Sequence, residues 1–480
     1  MSEKHYHAFV KRLNSLKNAS QTAQNKGISR RRFLQLAGMG GLALALHQFT
    51  PRISAQAQKT IIVIGAGASG IAAARELHDA GHNVIVLEAR DRIGGRVWTD
   101  TRLANTPLDL GASWVHGISG NPVWDLVQEY AIPTQPTDYE DVIIYTPDGE
   151  ELPDETVETL AELLDELLVA VDDIRQNDED DRPLRDVVNL ALADMDLTTQ
   201  EIAMLEFGLM TRIENDYANS LEGLSAYNWD EAEEFGGDDV LFPRGYGELF
   251  AKLAEGLDIR LNHIVSEIKY TADGATLITQ NERFTADKVI VTVPLGVLKR
   301  NKIAFSPPLP ENKQTAINRL AMGALNKVYL LFNAVFWDEE TQFFVINDAS
   351  VGFVDWVNFY PITGKPILMA FYSGREQARL EAMSEADIIA EALGVLTELF
   401  DGVEEAFFEG IATRWGVDEF AYGSYSSYGV GSMPDDRLAL VEPLMNVLYF
   451  AGEATRTDHP ATVHGAVMSG YDVAELILGE

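Results

Sequence analysis

Cysteine is absent from all 480 residues of this chain. Disulfide bonds, thiolate zinc sites and a catalytic thiol are therefore excluded, as is any cofactor bound through a cysteine thioether. Long hydrophobic runs are absent as well. Because a membrane span requires at least about 18 consecutive apolar residues, we predict no stable insertion into a bilayer. Nothing in the sequence predicts a bound metal.

Basic residues are scarce after residue 57. Residues 1–57 contain nine Lys or Arg and one acidic residue, whereas the remainder contains 28 Lys or Arg and 73 Asp or Glu, a net charge of −45. A surface this acidic repels nucleic acid and anionic lipid and attracts polycations. We therefore exclude nucleic acid as a partner. A solvated acidic face is the simpler explanation of the charge alone, so the charge does not by itself assign a function.

The N-terminal segment has the features of an export signal. The motif Ser29-Arg30-Arg31-Arg32-Phe33-Leu34 opens a short apolar, Gly-rich stretch that ends at Leu46, and Ala55-Gln56-Ala57 has the form of a cleavage site. The order and spacing resemble a bacterial twin-arginine signal, which is read by the export machinery for folded proteins. We expect cleavage at Ala57 and a periplasmic or equivalent extracytoplasmic location, with residues 1–57 outside the fold.

The first segment after residue 57 has a strand–turn–helix–strand pattern. An apolar strand at Thr60–Ile64 runs into Gly65-Ala66-Gly67-Ala68-Ser69-Gly70, followed by a helical stretch from Ile71 to Ala80 and a second strand at Asn83–Leu87. This order is typical of a βαβ unit that binds a dinucleotide, because the glycines permit a tight turn and the helix N-terminus faces the phosphates.

Each residue of this motif has an expected task. Gly65 allows the turn, Gly67 lets the backbone approach a pyrophosphate, and Gly70 lets helix and strand pack closely. Glu88 follows the second strand, 18 residues after Gly70, and can accept hydrogen bonds from ribose hydroxyls. The residues predicted to contact the dinucleotide here are Gly65, Gly67, Ala68, Ser69, Gly70 and Glu88.

The next segment distinguishes between two dinucleotides. In Arg90-Asp91-Arg92-Ile93-Gly94-Gly95-Arg96, a glycine pair between arginines offers a close backbone approach together with cations for a diphosphate. The segment resembles the second FAD-binding motif of the flavin amine oxidase family. The resemblance implies FAD, which we expect to be bound non-covalently because no cysteine is present. The residues implied here are Ala89, Arg90, Gly94, Gly95 and Arg96.

The resemblance to this family extends over nearly all of residues 59–480. Leu108–Gly117 resembles the segment beside the flavin ring, which implicates Gly111, Ala112, Ser113 and Trp114. Leu261–Tyr270 resembles the strand whose Val265 backbone meets the adenine. Near the end, Tyr449–Thr455 and Pro460–Ala466 resemble the part that closes the flavin site. The family implies Gly452 and Glu453 near the ribityl chain, and Thr462 and Val463 beside the ring.

The family also implies the architecture. We expect an α/β fold in which a Rossmann-like FAD-binding domain of the glutathione-reductase-like kind is interleaved with an α+β substrate domain. The predicted FAD-binding segments are 58–117, 236–302 and 431–480. Residues 118–235 are predicted to be a helical insertion of helices and loops, and residues 303–430 the sheet and helices of the substrate domain. Apolar residues at helical spacing from Val157 to Val171 predict one helix, and the segments 328–333 and 367–372 predict strands.

An amine oxidase moves a hydride from the carbon beside the nitrogen to the flavin, and the amine must be neutral for this to occur. An apolar, aromatic site lowers the pKa of an amine and so favours the neutral form. By family resemblance, Trp415 and Tyr425 form aromatic walls, and Lys327 holds a water at flavin N5. Many relatives have a second aromatic residue where this chain has Thr462, and this departure argues against a simple monoamine substrate.

Three residues point to a polyamine. Asp239, in Gly236-Gly237-Asp238-Asp239-Val240, resembles the acid-bearing turn of polyamine oxidases, and Asp216 matches a tunnel acid more loosely. His116, in Trp114-Val115-His116-Gly117, resembles the pattern of polyamine oxidases that convert spermine back to spermidine. We therefore expect oxidation of spermine or spermidine with O2. Two alternatives stay open: an L-amino acid oxidase, for which the sequence offers no clear arginine, and a flavin-binding protein without catalysis.

The signal assignment predicts that export requires the arginine pair. Replacing Arg30 and Arg31 with Lys keeps the charge but removes the planar guanidinium groups that a receptor would read. We expect the variant to stay in the cytoplasm as a precursor. Cell fractionation with N-terminal sequencing measures this, and mature protein that still begins near Gln58 outside the cytoplasm would contradict the assignment.

Overall fold

The structure is a computed structural model that describes residues 58–280 and 282–479. The predicted signal, with Arg30, Arg31 and the site at Ala57, lies outside the described residues. Within the described ranges, no helix combines the length and the apolar character needed to cross a membrane.

Short strands account for most of the β structure. In chain order they are β1 (Thr60–Ile64), β2 (Asn83–Leu87), β3 (Thr99–Asp100), β4 (Leu108–Asp109), β5 (Trp114–Val115), β6 (Gln135–Pro136), β7 (Val142–Tyr145), β8 (Val240–Leu241), β9 (Asp258–Arg260), β10 (Val265–Thr271), β11 (Gly274–Thr279), β12 (Arg283–Ala286), β13 (Lys288–Val291), β14 (Ala304–Ser306), β15 (Ala321–Gly323), β16 (Asn326–Phe332), β17 (Phe343–Ile346), β18 (Asp355–Asn358), β19 (Ile367–Tyr372), β20 (Phe407–Ala412), β21 (Tyr425–Ser427) and β22 (Leu448–Phe450).

Helices separate these strands along the chain. They are α1 (Ala68–Asp79), α2 (Pro122–Glu129), α3 (Asp154–Asn177), α4 (Leu184–Asp194), α5 (Thr199–Leu209), α6 (Asn215–Tyr217), α7 (Gly247–Leu253), α8 (Leu295–Lys299), α9 (Glu311–Arg319), α10 (Tyr360–Thr363), α11 (Gly374–Glu381), α12 (Glu385–Leu399), α13 (Val403–Ala406), α14 (Pro434–Val441) and α15 (Val463–Leu478). A π-helical turn, Met210–Glu214, joins α5 to α6.

A parallel five-stranded sheet in the order β22-β13-β1-β2-β9 forms the first layer. The predicted strands β1 and β2 are confirmed, and β1 is buried because the sheet is covered on both faces. Helix α1 begins at Ala68, three residues before the predicted start at Ile71. Gly67, the residue before the helix, has an extended backbone, and Ala68 and Ser69 already have helical geometry. The last helix, α15, packs against α1 through contacts such as Ser69 Oγ to Ser469 Oγ at 3.1 Å.

A second sheet with the order β12-β11-β10-β14 lies next to this layer. The strand predicted from Leu261 begins only at Val265, because Asn262 has a φ of 58° and turns the chain. The sheet packs on the opposite side of β1 from α1, where Ile62 and Ile64 join its core. Together the two sheets form the α/β part of the molecule, and the predicted fold class is confirmed.

The substrate domain contains a six-stranded sheet in the order β20-β16-β19-β18-β17-β7. Its edge strand β7 corrects the prediction that residues 118–235 hold only helices and loops. The short run Val-Ile-Ile-Tyr pairs with β17 in parallel, although it lies about 200 residues away in sequence, and such long-range pairing leaves no local signal. The predicted strand at 328–333 is observed as β16, which starts two residues earlier and includes Lys327.

The predicted amphipathic helix is α3. Its apolar stripe buries Leu160, Leu164, Leu167 and Val171 against α4 and α5, as helical periodicity requires, and Val157 against Ile144 of β7 and Leu152. Leu163 and Leu168 lie at the margin of the stripe and are only partly buried. The helical insertion thus forms its own small core, and α3 and α5 present one side to the six-stranded sheet.

The turn between β1 and α1 depends on a missing side chain at position 70. A Cβ added to Gly70 would lie 2.0 Å from the Gly65 carbonyl oxygen, a backbone atom that cannot move aside. We expect Gly70→Ala to reduce the yield of soluble, cofactor-loaded protein severely. Gly394→Ala, in the exposed helix α12, meets no atom within 4 Å and should be neutral or stabilising by about 0.5–1 kcal/mol. The amount of cofactor bound per protein and the thermal unfolding temperature are measured for both variants. Equal cofactor content and equal stability of the two variants would contradict the argument.

Candidate active site

One cavity of about 1470 Å³ runs between the parallel sheet and the six-stranded sheet. Sites for single drug-sized ligands span roughly 300–1,000 Å³, so this cavity has room for a dinucleotide together with a substrate. At one end it is lined by the β1–α1 turn and at the other by residues of α3, α5 and β17.

The β1–α1 turn forms a cradle for phosphates. Gly65 has a φ of +107°, and Gly67 precedes α1 without a side-chain cap, so the first amides of the helix face the cavity lined by Ala68 and Ser69. A Cβ added to Gly67 would find only the Gly94 carbonyl, at 4.0 Å, so the backbone there is open to a ligand. Free helix N-terminal amides attract phosphate, and the arrangement fits the diphosphate of FAD.

Gly94 and Gly95 form the facing wall of the cradle. Both have positive φ, and the Gly94 amide donates to the Ala66 carbonyl at 2.8 Å, which brings the second motif against the first. Gly111 continues this wall, since a Cβ there would lie 1.8 Å from the Arg96 carbonyl oxygen. The neighbouring residues Ala112, Ser113 and Trp114 also line the cavity.

Glu88 is held at the end of β2 by backbone amides. Its carboxylate accepts from Ala66 N at 2.7 Å and from Arg90 N at 2.8 Å, which fixes it at the cavity wall beside Ala89 and Val265. This position and chemistry suit a ribose diol. The Arg90 guanidinium itself pairs with Asp418 at 2.5 and 3.0 Å, so its charge is already partnered in the structure.

The far side of the cradle contains a buried carboxylate. Glu453 accepts from Arg96 Nη1 at 2.8 Å and from Ser426 Oγ at 2.6 Å. Burial opposes ionisation of this group, but Arg96, Ser426 and Arg437 together hold its pKa below the usual range. Gly452, next to it, has a φ of +140° and leaves open space. The site therefore offers a charged and firmly positioned acceptor beside an unobstructed backbone.

Lys327 joins the substrate sheet to the cofactor side of the cavity. It is 4% exposed, and its Nζ donates to Asp109 O at 2.9 Å, to Gly111 O at 2.6 Å and to Ser113 Oγ. Three acceptors match the three donors of an ammonium group. Strand β16 supplies the rigidity that aims this side chain at the 109–113 segment.

Asp109 is a functional group that the sequence interpretation did not single out. It is buried, and its carboxylate accepts from Thr99 Oγ1 at 2.5 Å and from Tyr246 N at 3.0 Å. Burial lowers the pKa of Lys327 to about 7, against the attraction of Asp109, and burial raises the pKa of Asp109 in turn. In the sequence, the indication of this role was a single acidic residue between the apolar residues Leu108 and Leu110.

Trp415 and Tyr425, the predicted aromatic walls, both line the cavity. Trp415 is 3% exposed and donates from Nε1 to Leu110 O at 3.0 Å. Tyr425 donates its hydroxyl to Asn215 O at 3.1 Å and to Asp216 O at 3.2 Å, so its ring is anchored to the helical insertion. Burial raises the pKa of Tyr425, which therefore stays a neutral hydrogen-bond donor.

Thr462 has a structural role that helps to explain why this position is a threonine. Its Oγ1 accepts from Gly465 N at 2.9 Å and donates to His459 O at 3.0 Å, which caps the N-terminus of α15. An aromatic residue at this position could not make that cap. Thr462 and Val463 still line the cavity, so the smaller side chain also leaves room there.

His116 and Asp239 form a hydrogen-bonded pair. His116 Nδ1 lies 2.7 Å from Asp239 Oδ2, and the same carboxylate accepts from Gly117 N at 2.8 Å and from Tyr139 Oη at 2.9 Å. Burial alone would raise the pKa of Asp239, but the bond to His116 and these donors hold it below its usual range. In the structure Asp239 therefore orients the His116 imidazole at the cavity wall.

Other charged residues line the substrate part of the cavity. Asp216 is exposed there, as the sequence predicted for a tunnel acid, and Asp355 lies close by. The sequence offered no clear arginine for a substrate carboxylate, and in the structure Arg212 lines the cavity. Arg212 sits in the π-helical turn, whose register no simple periodicity predicts. Within the described ranges, no group of three or more potential ligand side chains could hold a metal ion.

The sequence profile described as "Flavin containing amine oxidoreductase" matches residues 68–478. The chain belongs to this family. It is 35% identical to Polyamine oxidase 2 of Arabidopsis thaliana over 432 residues, which are 87% of each protein. It is also 36% identical to Lysine-specific histone demethylase 1 homolog 2 of the same plant, over 90% of this chain but only 60% of that protein.

Solved structures support the fold. A double mutant of putrescine oxidase matches with a TM-score of 0.72 at 24% identity, covering 88% of this chain and 99% of the other. The enzyme is an FAD-dependent amine oxidase. The cradle at the β1–α1 turn, Glu88, and the Arg96–Glu453 pair are the residues that would hold the cofactor, and their donors and acceptors fit its phosphates and hydroxyls.

The geometry of Lys327 predicts a kinetic role. Replacing Lys327 with Met removes the charge and its hydrogen bonds to Asp109 O, Gly111 O and Ser113 Oγ, so flavin reduction, reoxidation or both should slow by at least about tenfold, the equivalent of roughly 1.4 kcal/mol. Because the pKa of Lys327 is lowered to about 7, its protonated fraction falls through neutral pH. The affected rate should therefore show an inflection near neutrality that Lys327→Met lacks.

Stopped-flow absorbance at several pH values, at equal FAD content, measures this. Lys365→Met is a matched control, because Lys365 is partly exposed, binds the Ala104 carbonyl and does not line the cavity. Unchanged half-reaction rates in Lys327→Met would remove Lys327 from the mechanism.

Proposed function

We propose that this enzyme is a polyamine oxidase that acts on spermine or spermidine. The observation that carries the proposal is the cavity itself, which has an aromatic interior at Lys327 and carboxylates toward its exposed end. The exposed acids that line it include Asp138, Asp216, Glu233, Glu234 and Asp238. A linear chain of methylenes and ammonium groups is complementary to such a cavity, and carboxylates offset the cost of moving its charges out of water.

The names of several relatives support the same substrate class. Polyamine oxidases of Arabidopsis thaliana and Oryza sativa are 34–35% identical to this chain and are covered over most of their length. The demethylase relatives are covered over only about half to 60% of theirs. A protein-lysine substrate also conflicts with the export that the N-terminal sequence predicts.

The residues of the site favour a neutral amine. Trp415 and Tyr425 lower the polarity around the reacting nitrogen, and the positive charge of Lys327 opposes protonation nearby. FAD held by the cradle, Glu88 and the Arg96–Glu453 pair would supply the acceptor for the hydride from the carbon beside the nitrogen, with O2 as the final oxidant and H2O2 as its product. Water then hydrolyses the imine to an aldehyde and a shorter amine.

We propose further that spermine is oxidised on the outer side of its secondary nitrogen, in the aminopropyl arm. The products are 3-aminopropanal and spermidine. Each turnover consumes one O2 and one water and releases one H2O2. His116 supports this side, because its imidazole is held by Asp239 and can grip a substrate nitrogen as a hydrogen-bonding group. A shift of one carbon along the chain, on the order of 1.5 Å, changes which C–H reaches an attack position.

Arg212 favours a second candidate function. A guanidinium in the cavity could bind a carboxylate, as an L-amino acid oxidase requires. The exposed acids around the entrance disfavour an anionic substrate, and so the polyamine is the better proposal. The location proposed for the enzyme is extracytoplasmic, on the strength of the twin-arginine motif.

Peroxide release across a panel of amines tests both candidates. We expect turnover with spermine and spermidine, weaker turnover with acetylated forms, and none with putrescine or amino acids. Turnover of amino acids without turnover of polyamines would favour the second candidate.

Chromatography of the spermine reaction tests the side of cleavage. Spermidine is expected as the amine product, and 1,3-diaminopropane in its place would show oxidation on the inner carbon. His116→Gln, which keeps one hydrogen-bonding group, should retain the same product, while His116→Leu should lower kcat with spermine or mix the products.

A further inference from the structure

Asp355 lies inside the cavity in a built polar position. It begins strand β18, and its carboxylate accepts from the Asn215 side-chain amide. The carbonyl oxygen of that amide accepts from Ser373 Oγ at 2.6 Å, and Ser373 also donates to Glu214 O at 3.0 Å. Asn215 is therefore fixed in the orientation that points its N–H at Asp355, and the carboxylate has a defined position.

Asn215 also connects Asp355 to the reacting end of the cavity. Its backbone carbonyl accepts from the Tyr425 hydroxyl at 3.1 Å, while its side chain contacts Asp355. A single residue thus lies between the aromatic wall at the site of oxidation and the carboxylate. Tyr425 and Asp355 both line the same cavity, so one substrate molecule can contact both.

The charge of Asp355 is poorly compensated. The charge of Arg212 offsets it only in part, and the apolar side chains of Leu160, Phe207 and Val345 line the same cavity. Burial raises the pKa of Asp355 to about 7, and the neighbouring Asp216 adds to this effect, while Asn215 and Arg212 oppose it. A cation placed between Asp355 and Asp216 would relieve both burial and repulsion.

We propose that Asp355 is the specificity-determining residue that binds the second ammonium group of the substrate, the one that lies a few carbons from the oxidised nitrogen. Asn215 and Ser373 position its carboxylate, and Asp216 contributes from the opposite side. The inference rests on the proposed function, since it concerns the substrate of the same cavity.

Asp239 is less suited to this task than the sequence indicated. Its two oxygens already accept from Gly117 N and Tyr139 Oη, and one of them lies within hydrogen-bond distance of His116 Nδ1, so its lone pairs are largely used. Asp355 accepts from one amide and faces the cavity. The enzyme should therefore select amines by the distance between the two nitrogens, with Asp355 at the far end of that distance.

Two amines of equal length test this. N-Propyl-1,4-diaminobutane ends in an amino group, and N-propylpentylamine ends in a methyl group at the same place. In Asp355→Asn, the KM for the diamine should rise by at least about tenfold, since a buried charge pair is lost. The KM for the monoamine should stay within about twofold, and kcat should change little for both.

Asp355→Glu provides a second variant that keeps the charge. Its carboxylate lies one methylene further into the cavity, so the preferred spacing between the nitrogens should shorten by one carbon in a series of diamines. Asp348→Asn, in the turn between β17 and β18 and outside the cavity lining, is the matched control and should behave as the native enzyme. Equal FAD content in all variants shows that the fold is retained.

The outcomes separate the two proposals. If the native enzyme oxidises spermine and Asp355→Asn affects the diamine and the monoamine equally, the role of Asp355 is overturned and the polyamine oxidase is not. If the native enzyme oxidises neither spermine nor the two amines, both fail. A selective loss with the diamine, in an enzyme inactive on spermine, supports Asp355 and overturns only the spermine assignment.

Discussion

The contact of Lys327 with the 109–113 segment is the constraint on which the site depends. A single ammonium group from the substrate sheet donates to three oxygens of the 109–113 segment, and this contact joins the two parts of the molecule at the cavity. The contact is buried beside the Asp109 carboxyl. The free-energy cost of burying Lys327 and Asp109 is offset only while their hydrogen bonds stay aligned. Trp415 also donates a hydrogen bond to this segment, at the Leu110 carbonyl. The same segment therefore holds both the aromatic wall and the Lys327 ammonium group.

A second theme is the division of acids by environment. Asp239 and Glu453 are held ionised by hydrogen bonds and fix their neighbours, His116 and Arg96, in place. Asp355 lacks such a set of donors, and the exposed acids at the entrance are largely solvated. Within one cavity, acidic residues thus position neighbouring side chains, bind the substrate or attract it to the entrance. Which of these a carboxylate does depends on the groups that surround it.

The sequence predicted most of the cofactor side. The turn from Gly65 to Gly70 and the strand Asn83–Leu87 that precedes Glu88 follow from local rules, since glycines and short apolar runs act within a few residues. The substrate side was harder, because Arg212, Asp355 and strand β7 are placed by pairings between distant segments. Asp239 and His116 were each found by their sequence motifs, but their pairing became visible only in three dimensions, since the two lie 123 residues apart.

The packing of α15 on α1 has a consequence for biosynthesis. Helix α1 is made near the start of the chain, but the surface that it buries comes from the last 16-residue helix, and β22 completes the parallel sheet only shortly before it. A growing chain therefore cannot close the dinucleotide cradle until the segment from β22 to α15 has been synthesised. The two ends of the cofactor domain must come together before the phosphate site is complete.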